Sequence, residues 1–147
     1  MANQEQLDIL KQGIAEVWNR WRLDNPEQRP ELQAADLAEA NLAGMHLAYA
    51  DLTEADLSEA DLNNADLSGA HLAGANLSGA NLAGANLSGA DLSGANLVGA
   101  DLVAADLNET NLTGAYVRAA NFSWINVSQA IITAAQLKSA RLSPDDL

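Results

Sequence analysis

The 147 residues include no cysteine, which excludes disulfides, thiolate zinc sites, iron–sulfur clusters and a thiol nucleophile. Aromatic side chains are scarce, with one Phe, two Tyr and three Trp, so a core of mixed large side chains is not available. No apolar run approaches the ~20 residues of a membrane-spanning helix. The opening residues, MANQEQLDIL, have neither a basic n-region nor an apolar h-region. The expectation is therefore a cytoplasmic chain with no membrane association. Positive charge is short as well: 7 Lys and Arg stand against 20 Asp and Glu, a net charge of -13. That balance argues against direct binding to nucleic acid or to anionic membrane.

What the sequence has is a period of five. From Leu37 to Leu112 every fifth residue is Leu, and the register continues through Val117, Phe122, Val127, Ile132, Leu137 and Leu142. Two residues before each stands Ala, except at Met45, Thr110 and Ile125. The residue between is usually Asp or Asn. Five is neither the helical 3.6 nor the strand 2, so both long elements are excluded. Ala and Leu, two apart, point to one side of a short extended run and the Asp or Asn to the other. The last two residues, often Ser-Gly or Ala-Gly, are turn chemistry. A turn starting at Leu puts Gly third, where a type II turn needs φ > 0. Pentads ending in Glu39, Glu54, Glu59 or Glu109 are expected to avoid that geometry, because a Cβ there is unfavourable. Four bends close a square of twenty residues, and stacked coils would lie about 4.8 Å apart.

This A-(D/N)-L-x-x pattern, held over residues 35–144, resembles the pentapeptide-repeat family. The resemblance implies an all-β solenoid, a right-handed quadrilateral β-helix. At four pentads per coil it would make about 5.5 coils.

Residues 1–30 lie outside the pattern and are expected to form an N-terminal α-helical cap and hinge, leaving 31–147 as the β-helix. Leu7, Leu10, Ile14, Val17, Trp18 and Trp21 recur at helical spacing, an apolar stripe suited to the open end of the first coil. Asn3 with Gln6 resembles a capping box, Gly13 weakens the helix, and Asn25-Pro26 ends it.

Between Arg29 and Arg118 there is no basic residue, while that interval holds 13 acidic ones. Two functions follow. The first is a non-enzymatic, rigid acidic scaffold for an unspecified protein partner. The second comes from the resemblance: in members linked to quinolone resistance an acidic rod imitates DNA and engages DNA gyrase. Over residues 31–115 the spacing is about one charge per 1.6 Å, near that of duplex DNA. The columns spaced by twenty, however, alternate Asp with Asn or His, as in Asn41, Asp61, Asn81 and Asp101. An amide between two carboxylates could donate to both. Only Asp36 over Asp56, Glu39 over Glu59 and Glu31 over Asp51 break that rule, and Asp36, Glu39, Asp51, Glu54, Asp56 and Glu59 make the candidate acidic face.

His71 between Asp51 and Asp91, and His46 beside Asp66, are one-histidine arrangements without three convergent ligands. No metal, cofactor or catalytic residue is expected. Val98, Val103, Tyr116, Trp124 and Ile131 are apolar at outward or turn positions near the C-terminus. They are read either as a local end cap, with Trp124 and Ile131 folding over the last coil, or as an interface for a partner or for a homodimer. No helix is expected after them.

Overall fold

The computed structural model describes residues 1–142. From Glu31 onward the chain pairs with itself at a separation of twenty residues. Single parallel β-pairings join Glu31 to Asp51, Asp36 to Asp56, Asn41 to Asp61 and His46 to Asp66, and the series runs on to Asn121 with Arg141. Four such pairings fall in every twenty residues, which gives each coil four sides. No strand longer than a single pairing occurs among the described residues. The reason is local: three extended residues between two bends leave one residue with both backbone groups facing its neighbours. The result is a solenoid of isolated bridges rather than of long strands.

The interior is the predicted one. Leu32 to Leu112 at every fifth position, and the Ala two residues before most of them, are buried. Each buried Leu contributes on the order of 2 kcal/mol before chain entropy is subtracted. Thr110, which replaces an inward Ala, is also buried, and its Oγ1 donates to Leu87 O at 2.7 Å.

The corners correct one expectation. Every fifth residue from Ala34 to Trp124 has positive φ, whether glycine or not, and Glu39, Glu54, Glu59 and Glu109 stand at 57–60°. The cause lies between coils. The N–H of the third turn residue donates to the corner carbonyl of the next coil, as in Glu39 N to Ser58 O at 2.8 Å and Gly69 N to Ser88 O at 2.8 Å. A coil that bent differently at one corner would lose that bond, so the stack imposes left-handed φ on glutamate at a cost of about 1–3 kcal/mol each.

The N-terminal segment is two helices rather than one: α1 (Gln4–Leu10) and α2 (Ala15–Asp24). Gly13, at φ 70°, makes the break. The stripe splits with it. Leu7, Leu10 and Trp18 are buried against the first coil, whereas Ile14 and Val17 are 48% and 41% exposed. Asn3 accepts from Gln6 N, but Gln6 Oε1 takes the N–H of Glu31 instead of completing the capping box. Side chains of α2 occupy the backbone groups that a lower coil would have taken. His46 N donates to Asn19 Oδ1, and His46 O accepts from Trp18 Nε1 and Arg22.

The C-terminal end departs from the sequence reading. A short helix, α3 (Ala134–Ser139), follows the repeats, opened by a Thr133–Gln136 capping box. Gln136 Nε2 also donates to Leu112 O and Ala115 O, which ties α3 to the coil below. In this last coil Ile131 and Arg141 pair downward, but among the described residues Asn126 and Gln136 do not. The corner bonds from Glu109 to Gln129 and from Ala119 to Ser139 span twenty residues instead of nineteen, a one-residue slip that makes room for the helix.

Candidate interaction surfaces

Asp residues occur on all four faces, but the candidate acidic residues concentrate around one of them. Asp36 and Asp56 are paired on a single face, Glu39 and Glu59 stand at the corner after it, and Glu54 stands at the corner before it. Asp51 lies on the neighbouring face, paired with Glu31 below and His71 above. Five of the six candidates therefore frame one face across the first two coils. Higher on that face the column becomes Asn76, Asn96 and Tyr116.

The expected amide ladders do not form. Among the described residues the Asp and Asn side chains bond along their own coil: Oδ1 accepts from the N–H two residues on and, where that residue is Ser or Thr, usually from its hydroxyl. Asp56 with Ser58 is an example, at 3.0 Å and 2.7 Å, and Asn86 with Ser88 is another. These are Asx-turns that brace each bend. They need an acceptor oxygen rather than a charge, which is why Asp and Asn alternate freely. The bonds also act on acidity. Donation from the Ser58 hydroxyl and N–H holds Asp56 below the usual carboxylate range. Ser93 does the same for Asp91, aided by His71 against partial burial. For Asp51 burial pushes upward, but Thr53, Gln33 and the charge of Arg29 outweigh it and the net shift is downward.

The five apolar candidates do not form one patch. Val98 and Tyr116 line a common shallow groove of about 440 Å³ beside Ala135, Gln136 and Ser139 of α3. Val103 and Trp124 share a different corner by register, and Ile131 pairs with Asn111 on another face. Trp124 and Ile131 are 79% and 59% exposed, so neither folds over the end of the solenoid. Instead α3 and the partly buried Ile132 and Leu137 pack against the core there.

Sequence reasoning missed a second groove of about 590 Å³ at this end, lined by Arg118, Lys138 and Arg141 among others. The sequence signal was a clustering of charge: three of the seven Lys and Arg residues fall at 118, 138 and 141. No group of three or more His, Asp and Glu able to hold a metal ion occurs among the described residues, and no helix among them is long and apolar enough to cross a membrane.

Comparison with known proteins agrees with the geometry. The family model described as pentapeptide repeats matches in eight copies, with matched segments 35–74, 60–97, 70–108, 85–123 and 95–133. The chain is similar to the pentapeptide repeat protein Rfr23 of the cyanobacterium Cyanothece 51142, at 30% identity and a TM-score of 0.59, covering 89% of this chain and 97% of that one. It is also similar to a pentapeptide repeat protein of the Arabidopsis thaliana thylakoid lumen, at 25% identity and a TM-score of 0.57, covering 77% and 74%. QnrB1, a plasmid-mediated fluoroquinolone resistance protein, matches at 20% identity with a TM-score of 0.32, too distant to carry an argument. Comparison with curated proteins returns no match. On its repeats, its twenty-residue pairing and these matches, the chain belongs to the pentapeptide-repeat family.

Proposed function

We propose that this protein is a non-enzymatic scaffold: a rigid, right-handed rod of about 5.5 coils over residues 31–147, capped by residues 1–30, that presents an acidic face to a protein partner in the cytoplasm. The observation that carries the reading is the face around Asp36, Glu39, Glu54, Asp56 and Glu59. Among the described residues none of these carboxylates has an ion-pair partner; the one ion pair is Arg20 with Asp24. Three of them are glutamates held in left-handed backbone, which fixes their Cα positions more firmly than a flexible loop would. A surface so ordered and unneutralised suits a basic partner that is steered to it.

The outward side chains on these faces do not converge on a reacting atom, which supports a binding role over catalysis. The DNA-mimic alternative needs a continuous acidic track along the rod; here the upper carboxylates, Asp91, Asp101 and Asp106, lie on the other three faces, and this face is acidic in its lower two coils only. A homodimer through the C-terminal coil would use Val98 and Tyr116, the two candidates that share a groove.

Capture from a cell lysate on the immobilised chain tests the reading, with elution by salt. Loss of the captured protein in the Glu39→Gln/Glu54→Gln/Glu59→Gln variant supports the acidic scaffold. Capture of DNA gyrase would replace it with the mimic, and retention unaffected by the three substitutions would overturn both. Cell fractionation tests the cytoplasmic placement.

A further inference from the structure

We propose that the C-terminal end is a docking site for an acidic peptide segment of a partner, its carboxylates held by Arg118, Lys138 and Arg141 and a neighbouring apolar side chain by Val98 and Tyr116. This deepens the scaffold reading by naming one class of partner, and it rests on that reading. The basic residues are the anomaly of the molecule. In a chain of net charge -13, three of seven cations line one groove, and none of the described residues that line it is acidic. Among the described residues these like charges have no ion-pair partner; the only ion pair there is at the other end, between Arg20 and Asp24. In addition, Arg141 Nε is buried without a hydrogen-bond acceptor, so the guanidinium at the groove wall is not fully satisfied by the protein itself. A planar guanidinium of this kind matches a carboxylate.

The adjacent apolar groove shares Arg118 and Ser139 with the basic one. Together they offer an extended path along both sides of α3, longer than a lone anion needs. Repulsion from the acidic face does not reach this far. Lys138 stands four coils above Ser58, about 19 Å at the strand spacing, more than twice the ~8 Å Debye length of physiological salt. Asp101 is closer, two pairings below Arg141 in the same column with Asn121 between them.

The experiment is fluorescence anisotropy of a fluorescein-labelled peptide, Glu-Glu-Leu-Asp-Asp, titrated with the full chain at 0.05 and 0.15 M salt. Saturable binding is expected. Affinity should fall at least tenfold in Arg118→Gln and in Lys138→Gln, both solvent-exposed positions whose substitution leaves the fold intact by circular dichroism, and at least threefold in Tyr116→Ala. Glu39→Gln/Glu59→Gln should leave it unchanged. Absence of saturation, or equal affinity in Arg118→Gln/Lys138→Gln, overturns the proposal. Full displacement by inorganic phosphate, beyond a chloride control of equal ionic strength and with Tyr116→Ala silent, also overturns it by showing a simple oxyanion site. Capture of the same lysate partner by Arg118→Gln/Lys138→Gln as by the unaltered chain would remove this groove while leaving the acidic scaffold standing.

Discussion

The ring of Tyr49 lies over Gly69, twenty residues later in the chain: a Cβ added at Gly69 would stand 2.5 Å from Tyr49 Cε1. The bare glycine in the second coil is what gives a bulky corner residue in the first its place. Glu59 over Gly79 and Asn64 over Gly84 repeat the arrangement. Gly69→Ala should therefore cost more than Gly94→Ala, whose φ of 67° is similar but whose surroundings are open. The left-handed φ costs each variant about 1 kcal/mol. The Tyr49 ring is largely exposed and can swing aside, so the additional loss at Gly69 should be below about 1 kcal/mol. Urea unfolding measures both, and Tyr49→Ala should erase the difference between them.

Glu54 is exposed and held at φ 58°. Glycine would relieve that backbone, and Glu54→Gly should stabilise the protein by about 0.5–1 kcal/mol. Glu54→Gln is the companion that removes charge without changing backbone preference. A melting temperature that rises equally in both would assign the gain to relieved repulsion instead.

The inward Ala column is the least tolerant surface of the rod. Ala100 is buried, and Ala100→Leu should cost about 1–3 kcal/mol, because a coil bonded above and below cannot widen. Ala83→Leu makes the same change at an outward position below Val103 and should cost less than about 0.5 kcal/mol. Equal losses in thermal unfolding would mean that the inward and outward positions are exchanged.

Trp18 is buried, stacks on Trp21 with centroids 5.2 Å apart, and donates to His46 O at 2.9 Å. Trp18→Ala should destabilise the chain by about 3–5 kcal/mol. It should also expose the edge of the first coil, so that self-association, followed by sedimentation, appears before unfolding. An unchanged monomer with an unchanged melting temperature would show that the helices do not protect that edge.

Acid should act through Asp51, Asp56 and Asp91. Their folded-state acidity is increased by the turn donors, so each contributes stability that is present above its unfolded pKa, near 4, and is lost as pH falls through its lower folded value. The Asp51→Asn/Asp56→Asn/Asp91→Asn variant keeps the Oδ1 acceptor of each turn and loses the titration, with an amide NH2 in place of the Asp51 Oδ2 that accepts from Gln33. Its melting temperature should match the unaltered chain near pH 7 and decline less between pH 5 and 3. Parallel curves would remove these turns from the account of acid sensitivity.

The repeats were legible because one residue type recurs wherever one environment recurs: the Leu and Ala columns name the interior directly. What was not legible depended on contacts made twenty residues away. Glu39 bends like a glycine because its N–H must reach Ser58, and no local preference reveals that. Asx-turns and ladders look alike in the sequence because Asp alternating with Asn suits either, and only the geometry shows Oδ1 turned along its own coil. Gly13 reads locally as a mild cost to one helix, yet it separates two. The short α3 escaped notice because Gln136, Leu137 and Ala140 keep the pentad spacing while the backbone leaves it. Among the candidate surfaces, the acidic face could be read by counting in twenties, whereas the slip at Ser139 takes Lys138 out of the column above Arg118, so the basic groove follows from the geometry of α3.

The twenty-residue pairing makes this molecule an index as much as a rod. Removal of one pentad would turn everything above the cut by a quarter revolution, moving Tyr116 and α3 to a different compass bearing from Asp56. Removal of four would shorten the distance between them by one step and leave their bearing as it was. Length and angular phase can thus be altered independently by whole-number edits to the sequence. The relative aim of its two ends is set by arithmetic rather than by any hinge.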